Sequence, residues 1–391
     1  MSGILIKNGI IVLEDTILDS GFVYIEEGRI KNVGPMTELQ AADYSIETID
    51  LKDEKRIIPG FIDVHIHGVG GADTMDGTIE ALSTMATCLP AEGTTSFLAT
   101  TITQEVEKIE KAMRNVAEYN QKDNIAGKAE ILGIHLEGPF INTKQAGAQP
   151  RAQIIPPNVE LFKGWQTVAD NLIKLVTLAP EEENGIELIQ YLAETGVIPS
   201  IGHSDANYDE VKAAVDAGAI HVTHLFNGMR GMHHREPGVA GAALLFKELM
   251  VEMIADGIHI RPEMIKLALQ AKGIEKSLLV TDSMRAKCLK NGQYDLGGHN
   301  VFVENGKALL QDGTLAGSIL KMQDAVKNIM NFTEISLLEA IQLASVNPAK
   351  QLNVFDRKGS IAIGKDADIV ILDEHFEVEM TFCRGIKAFE R

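Results

Sequence analysis

A short apolar segment followed by an amphipathic helical stretch recurs through the middle of the chain, and this repetition constrains the fold more than any other feature. Eight predicted strands cover residues 61–67, 94–100, 131–137, 173–179, 198–203, 219–226, 251–258 and 277–282. Helical patterns lie between them, such as residues 80–92, 104–119, 185–195, 207–217, 262–272 and 320–331. Alternating strands and helices favour a parallel sheet with right-handed crossovers. Eight such units predict a closed, TIM-like (β/α)8 barrel.

Both ends of the chain have a different pattern, with short β-rich segments separated by turn residues. The N-terminal segments are residues 4–6, 10–13 and 22–25, with a hairpin turn predicted at residues 26–29, and residues 369–372 resume the pattern. The predicted fold class is therefore α/β, in which a barrel of residues 56–355 is inserted into a small β-sandwich domain. That small domain is expected to combine residues 1–55 with residues 356–391.

Charge and cysteine content exclude several classes of function. The formal net charge of −19 over 391 residues argues against sequence-independent nucleic-acid binding and against an anionic membrane surface. Three distant cysteines, Cys88, Cys288 and Cys383, form neither a disulfide framework nor a Cys-x-x-Cys metal motif. We find no signal-peptide pattern and no run of about 18 apolar residues. A cytoplasmic protein is expected.

The segment Pro59-Gly60-Phe61-Ile62-Asp63-Val64-His65-Ile66-His67-Gly68 ends the first predicted barrel strand with two histidines. Residues two apart on a strand share a face, so His65 and His67 point the same way. Two imidazoles placed in this manner can hold one metal ion. A bare His-x-His is equally compatible with two polar residues at a strand end, and the other strands decide between these interpretations.

Most of the other barrel strands also end on a group that binds metals or carries protons. These residues are Glu137 in strand 3, His203 in strand 5, His224 in strand 6, Asp256 and His259 in strand 7, and Asp282 in strand 8. Because chemistry in such barrels takes place at the carboxyl ends of the strands, we expect these side chains to converge on one rim. The sequence therefore favours a metal site.

The types of ligand narrow the choice of metal and its arrangement. Imidazole and carboxylate donors without thiolate suit Zn, Fe, Mn or Co. Glu137, His203 and His224 provide three protein ligands with an open position, which is typical of catalytic zinc-like sites. His65 and His67 can form a second site with Glu137 as the bridge. The prediction is one or two divalent ions in each subunit.

Asp282 completes the predicted chemistry. A divalent ion lowers the pKa of a bound water to about 7. Asp282 can take a proton from that water and pass it to a leaving group. The pattern thus predicts metal-dependent hydrolysis of a polarised carbonyl.

Three other residues admit a simpler interpretation. His135 lies on the same face as Glu137 but one layer deeper, so we interpret it as an interior residue. His221 has the opposite parity to His224 along its strand and is expected to face the helices. Arg235 follows strand 6 in a loop, where it is equally well a surface residue or a fork for an anionic substrate group.

Six segments together resemble the amidohydrolase superfamily and, within it, the family of deacetylases that act on N-acetylglucosamine 6-phosphate. They are residues 59–68, 135–140, 202–204, 224–229, 256–259 and 279–282. The resemblance extends over nearly the whole chain. It implies hydrolysis of the acetamide to glucosamine 6-phosphate and acetate, in amino-sugar catabolism.

The resemblance also implies individual roles. Glu137, His203 and His224 would hold the primary metal, and Asp282 would be the catalytic acid and base. Residues implied to bind the substrate are Asn227 and Gly228 at the sugar phosphate, His259 at the sugar, and Ala148, Leu315, Ala316 and Gly317 along the pocket. Arg235 would reach the phosphate bound in a neighbouring subunit, which implies a homodimer.

Two departures from the family pattern leave questions open. Some members have Gln-x-Asn in place of His65 and His67 and use a single metal. Those members also carry a histidine, which polarises the acetyl carbonyl, in place of Gln149. Either Gln149 donates a hydrogen bond to that carbonyl or a second metal replaces the histidine.

Two competing functions remain. A cyclic-amide hydrolase of the same superfamily would need a carboxylated lysine at the end of strand 4, but Lys174 lies too early. A barrel that has lost catalysis would lack metal ligands, and none is missing here.

Overall fold

The computed structural model describes residues 3–39, 47–52 and 54–391. Its strands are β1 (Ile4–Val12), β2 (Ile17–Glu26), β3 (Arg29–Pro35), β4 (Glu47–Asp50), β5 (Arg56–Pro59), β6 (Phe61–Ile66), β7 (Gly68–Val69), β8 (Ala72–Asp73), β9 (Thr94–Thr100), β10 (Glu130–Glu137), β11 (Ile173–Leu178), β12 (Ile198–Ile201), β13 (His221–Val222), β14 (Met250–Met253), β15 (Ser277–Leu279), β16 (Gly292–Leu296), β17 (His299–Glu304), β18 (Lys307–Leu309), β19 (Ile369–Leu372), β20 (Val378–Cys383) and β21 (Ile386–Glu390).

The helices are α1 (Ile79–Cys88), α2 (Val106–Lys122), α3 (Val159–Val168), α4 (Gly185–Glu194), α5 (Tyr208–Asp216), α6 (Gly238–Leu245), α7 (Pro262–Lys272), α8 (Met322–Thr333), α9 (Leu337–Ile341) and α10 (Asn347–Gln351). A π-helical segment, Gln342–Val346, joins α9 to α10. No helix within the described ranges is long and apolar enough to cross a membrane.

Eight parallel strands form the predicted barrel. Strands β6, β9, β10, β11, β12, β13, β14 and β15 pair in that order. Backbone hydrogen bonds join the last strand to the first, since Asp282 N donates to His65 O at 2.8 Å and His67 N donates to Ser283 O at 2.9 Å. The barrel wall is apolar and buried on the helix side. The (β/α)8 prediction is confirmed.

Several strands end earlier than predicted because the backbone turns sharply at the rim. His203, His224 and Asp282 have φ values of 48°, 28° and 46°. Extended strands require negative φ, so β12, β13 and β15 stop before these residues. All three side chains line a cavity at this rim.

Some elements were absent from the prediction. Helix α6 has the sequence GVAGAALL, which is apolar on every side, and it therefore lacks the polar face that reveals an amphipathic helix. A small antiparallel sheet, β16–β18, extends over one side of the barrel mouth. Its second turn is Asn305-Gly306, where both residues have positive φ, as a tight hairpin requires.

The two chain ends combine into a second sheet with the order β21-β20-β19-β5-β1-β2-β3, and β4 also pairs with β1. This sheet has its own apolar cluster, which includes Ile6, Val23 and Phe382. Strand β5 hydrogen-bonds with β1 and β19, so the sheet extends up to Pro59, immediately before the barrel. The predicted domain limits remain a prediction, and residues 1–2, 40–46 and 53 lie outside the described ranges.

An ion cluster joins the sheet to the barrel. Lys358 is 1% exposed at its side chain; its Nζ lies 2.7 Å from Glu130 Oε2 at the start of β10 and contacts Asp368 beside β19. Arg357 donates to both Glu130 oxygens, at 3.0 and 2.8 Å. Buried ionic groups need such pairing because their desolvation is costly.

Candidate active site

A cavity of about 200 Å³ opens at the carboxyl ends of the barrel strands. The predicted site residues that line it are His67, Glu137, Ala148, Gln149, His203, His224, Asn227, Gly228, His259, Asp282, Leu315 and Gly317. His65 and Ala316 are fully buried beside the cavity rather than on its surface. Arg235 is exposed and contacts His234 Nε2 at 2.7 Å. The structure therefore brings the predicted residues together, with Arg235 as the exception.

Glu137 lies at the centre of a first ligand group. Its Oε1 is 3.0 Å from His203 Nε2 and 3.1 Å from His224 Nε2, and the two imidazole nitrogens are 3.2 Å apart. All three side chains are almost completely buried. This is the trio that the sequence predicted as primary ligands.

Backbone carbonyls orient the two histidines. His203 Nδ1 lies 2.7 Å from Gln145 O, and His224 Nδ1 lies 2.9 Å from Asn227 O. A carbonyl only accepts, so each Nδ1 carries the proton and each Nε2 keeps its lone pair towards Glu137. Ligand histidines in metal sites have this arrangement.

A second ligand group shares Glu137. His67 Nε2 is 3.2 Å from Glu137 Oε2 and 3.3 Å from Asp282 Oδ1. His65 Nε2 is 3.5 Å from Glu137 Oε1 and 3.4 Å from Asp282 Oδ1. Oε1 of Glu137 therefore faces His203, His224 and His65, whereas Oε2 faces His67, so this carboxylate contacts donors of both groups.

These donors fit a cation. His65 Nε2 is buried and has no hydrogen-bond partner, although it faces two carboxylates. Burial lowers the pKa of His67, but its contacts with Asp282 and Glu137 raise it to about 10. A negative field that favours a proton this strongly also attracts a divalent ion. The nitrogen and oxygen donors match Zn, Fe, Mn or Co.

Glu252 is a buried partner of the site that the sequence analysis missed. Its Oε2 lies 2.9 Å from His65 Nδ1 and accepts a hydrogen bond of 2.9 Å from His224 N. Its Oε1 lies 3.1 Å from His221 Nε2. A signal was present, because a glutamate inside the apolar strand Met250–Met253 must have a buried partner.

His221 was expected to face the helices, and this expectation was wrong. Its Nε2 points into the barrel, where it lies 3.1 Å from Glu252 Oε1. The parity argument counted back from His224. Strand β13 contains only His221–Val222, and the positive φ of His224 breaks the alternation. His135 is interior as predicted, with Nε2 2.7 Å from Thr177 Oγ1 and its ring 4.4 Å from that of His65.

Gln149 contacts a ligand directly. Its Nε2 donates to Glu137 Oε2 at 2.7 Å, and its Oε1 accepts from Thr103 N at 2.8 Å. Both ends of the amide are therefore fixed. The side chain supports Glu137 at the edge of the cavity.

Asn227, Gly228 and His259 also line the cavity. His259 Nδ1 lies 2.6 Å from Asp256 Oδ2. Burial lowers the pKa of His259, but the hydrogen bond and charge of Asp256 more than offset this effect and raise it. Asp256 therefore fixes the ring of His259 beside the cavity, where it can contact a bound ligand.

Residues 56–387 match the model of the Amidohydrolase family. The match covers most of the chain, so the protein belongs to the amidohydrolase family, whose members are metal-dependent enzymes. Lys174 is half-buried, does not line the cavity and donates to Asn171 O at 3.1 Å, so this lysine cannot bridge metals there.

Within the family, the similarity is to one kind of deacetylase. The chain is 51% identical to the N-acetylglucosamine-6-phosphate deacetylase of Bacillus subtilis, over 99% of this chain and 97% of that protein. The solved deacetylase of the same name from Thermotoga maritima is 37% identical, with a TM-score of 0.88 over 99% of this chain and 100% of that one. The Mycobacterium smegmatis enzyme, solved in complex with N-acetyl-D-glucosamine-6-phosphate, is 29% identical, with a TM-score of 0.92 and the same coverage.

Proposed function

We propose that this chain hydrolyses the acetamide of N-acetylglucosamine 6-phosphate to glucosamine 6-phosphate and acetate, as a step of amino-sugar catabolism. The carrying observation is that Glu137 contacts four buried histidines, His65, His67, His203 and His224, at one cavity that Asp282 also lines. The similarity to deacetylases of that name supports the choice of substrate.

Glu137, His203 and His224 would hold the primary ion, and His65 and His67 a second ion bridged by Glu137. The ion is Zn, Fe, Mn or Co, with one or two in each subunit. When bound there, a divalent ion supplies Lewis-acid activation of water and of the amide carbonyl. The chain's own contribution is to fix the donors and to exclude bulk water from them.

Asp282 is the proton carrier in this proposal. Its Oδ1 lies 3.4 Å from His65 Nε2 and 3.3 Å from His67 Nε2, so it stands beside the proposed ions. A carboxylate in this position can accept a proton from the attacking water. It then delivers this proton to the departing amine, whose protonation makes it a better leaving group.

The remaining cavity residues would bind the sugar phosphate. Asn227 and Gly228 would contact the phosphate end and His259 the sugar, while Ala148 and the segment Leu315-Ala316-Gly317 line the pocket. For Gln149 both roles stay open: its amide donates to the acyl carbonyl once substrate displaces its bond to Glu137, or the second ion polarises that carbonyl. Replacing Gln149 by alanine separates them, because only the first role requires the amide for turnover.

Arg235 is proposed to act between subunits. It lies in an exposed loop after β13, outside the cavity of its own chain. A guanidinium matches phosphate oxygens in geometry and charge. In a homodimer it would reach the phosphate bound by the neighbouring subunit. A cytoplasmic location belongs to the same proposal and is supported by three cysteines that form no disulfide.

The test is release of acetate by the purified protein, measured with elemental analysis of the same sample. N-acetylglucosamine 6-phosphate should be hydrolysed rapidly, and the unphosphorylated sugar poorly. Asp282→Asn should lower kcat by a factor of about 10²–10⁴ while metal content stays normal. Absence of acetate release from a metal-loaded sample, or full activity of Asp282→Asn, would overturn the proposal.

A further inference from the structure

Glu252 is fully buried, and both of its oxygens are engaged. Oε2 lies between the imidazole of His65 and the backbone N–H of His224, at 2.9 Å from each. One carboxylate oxygen therefore contacts residues from both proposed ligand groups.

The other oxygen fixes the direction of the carboxylate. His221 Nε2 lies 3.1 Å from Oε1, and His221 Nδ1 lies 3.2 Å from Gln351 Nε2, near the end of α10. An amide nitrogen only donates, so His221 Nδ1 accepts and its Nε2 donates to Glu252. His221 therefore holds Oε1 while Oε2 faces His65, and these two contacts together oppose rotation of the carboxylate.

This arrangement determines which ring nitrogen of His65 carries the proton. An ionised carboxylate only accepts, so His65 Nδ1 carries a proton. Three donors face the Glu252 carboxylate, namely His65 Nδ1, His221 Nε2 and the backbone N–H of His224, and hydrogen bonds to the ionised form favour that form. In the neutral imidazole, Nε2 then keeps its lone pair. That atom is the buried nitrogen without a hydrogen-bond partner that faces Glu137 and Asp282.

We propose that Glu252 is a positioning residue that presents His65 Nε2 to a divalent ion in the catalytic cavity. The inference rests on the proposed function, because it needs His65 to be a metal ligand. A partner of this kind raises the basicity of a ligand histidine and locks its ring, and loss of such a partner costs metal affinity by about 10–100-fold. A purely structural carboxylate would affect folding stability and leave metal affinity unchanged.

The experiment compares metal affinity, not only activity. Metal-free protein is titrated with Co²⁺, and the dissociation constants and visible absorption bands are recorded for wild type, His65→Gln and Glu252→Gln. His65→Gln identifies the ion that depends on His65. Glu130→Gln is the matched control, since Glu130 is a mostly buried carboxylate on β10, about 23 Å from Glu137 at ~3.3 Å per residue.

Glu252→Gln should weaken the His65-dependent ion by about 10–100-fold and shift its absorption bands. Glu130→Gln should bind Co²⁺ as wild type does, even if its melting temperature falls. If Glu252→Gln does not fold, His221→Gln provides the test, because it frees the carboxylate while leaving its charge in place. A smaller weakening in the same direction is then expected.

Two results would overturn the inference, and they differ. Normal Co²⁺ affinity and spectrum in Glu252→Gln, with a clear effect in His65→Gln, would leave the proposed ligands intact and remove only the role of Glu252. No effect in His65→Gln would show that His65 binds no metal, and that part of the proposed function would fail with it.

Discussion

Replacing Lys358 by methionine removes the ammonium that links the barrel to the sheet formed by both chain ends. Methionine has a similar length, so it leaves little empty volume. The carboxylate of Asp368 is 5% exposed at its side chain and loses its contact with Lys358. It keeps a hydrogen bond of 2.8 Å from the backbone N–H of Arg384, which does not neutralise its charge. Glu130 keeps its two hydrogen bonds from Arg357.

The expected cost follows from the buried charge that remains. Removing one partner of a buried ion pair destabilises a protein by about 3–5 kcal/mol. An unfolding entropy of ~2.1 cal/mol/K for each residue amounts to about 0.8 kcal/mol/K over 391 residues. The melting temperature should therefore fall by about 4–6 °C.

Thermal unfolding of metal-loaded protein near pH 7.5 measures this change. Lys350→Met is the matched control, because Lys350 pairs with Glu14 at 3.1 Å and both side chains are well exposed, 49% and 37%. An exposed pair contributes less than about 1 kcal/mol. If Lys358→Met melts within about 1 °C of this control, the reasoning from buried charge is refuted.

Three further outcomes are expected. Although burial raises the pKa of Glu130, Arg357 and Lys358 lower it from 4.5 to about 2; its stabilisation is thus present above pH 4.5 and lost as the pH falls towards 2, so the free energies of unfolding of wild type and Glu130→Gln should converge in that range. Arg235→Ala should raise KM for the phosphorylated sugar about tenfold with little change in kcat, and mixed dimers with Asp282→Asn should regain the low KM; unchanged KM would contradict the assignment. Gly228→Ala should weaken metal binding, because the new Cβ would lie 2.9 Å from His203 Nδ1 at a φ of +57°; an unaltered metal dissociation constant would argue against a ligand role for His203.

The barrel and most of its rim could be predicted because they depend on local rules. Alternation along β6 placed His65 and His67 on one face, and the position of a residue at the end of a strand was enough to place Glu137, His203 and Asp282. These inferences needed only the period of a strand and the polarity of a barrel.

The remainder depended on features without a sequence period. The predicted orientation of His221 was wrong because His224 has a positive φ, which interrupts the alternation of side chains along the strand. Glu252 was missed because a single charge in an apolar strand gives no indication of its partners, which come from distant strands. Strands β16–β18 had a usable signal in Asn305-Gly306, and it was not used.

The sheet built from both chain ends has a consequence for synthesis. Strand β5 pairs with β19, which leaves the ribosome about 300 residues later, a delay on the order of 15–60 s at 5–20 residues per second. During that interval the edge of β5 exposes unpaired backbone groups to other nascent chains. Co-translational folding of this sheet therefore cannot be completed until the whole barrel has been synthesised.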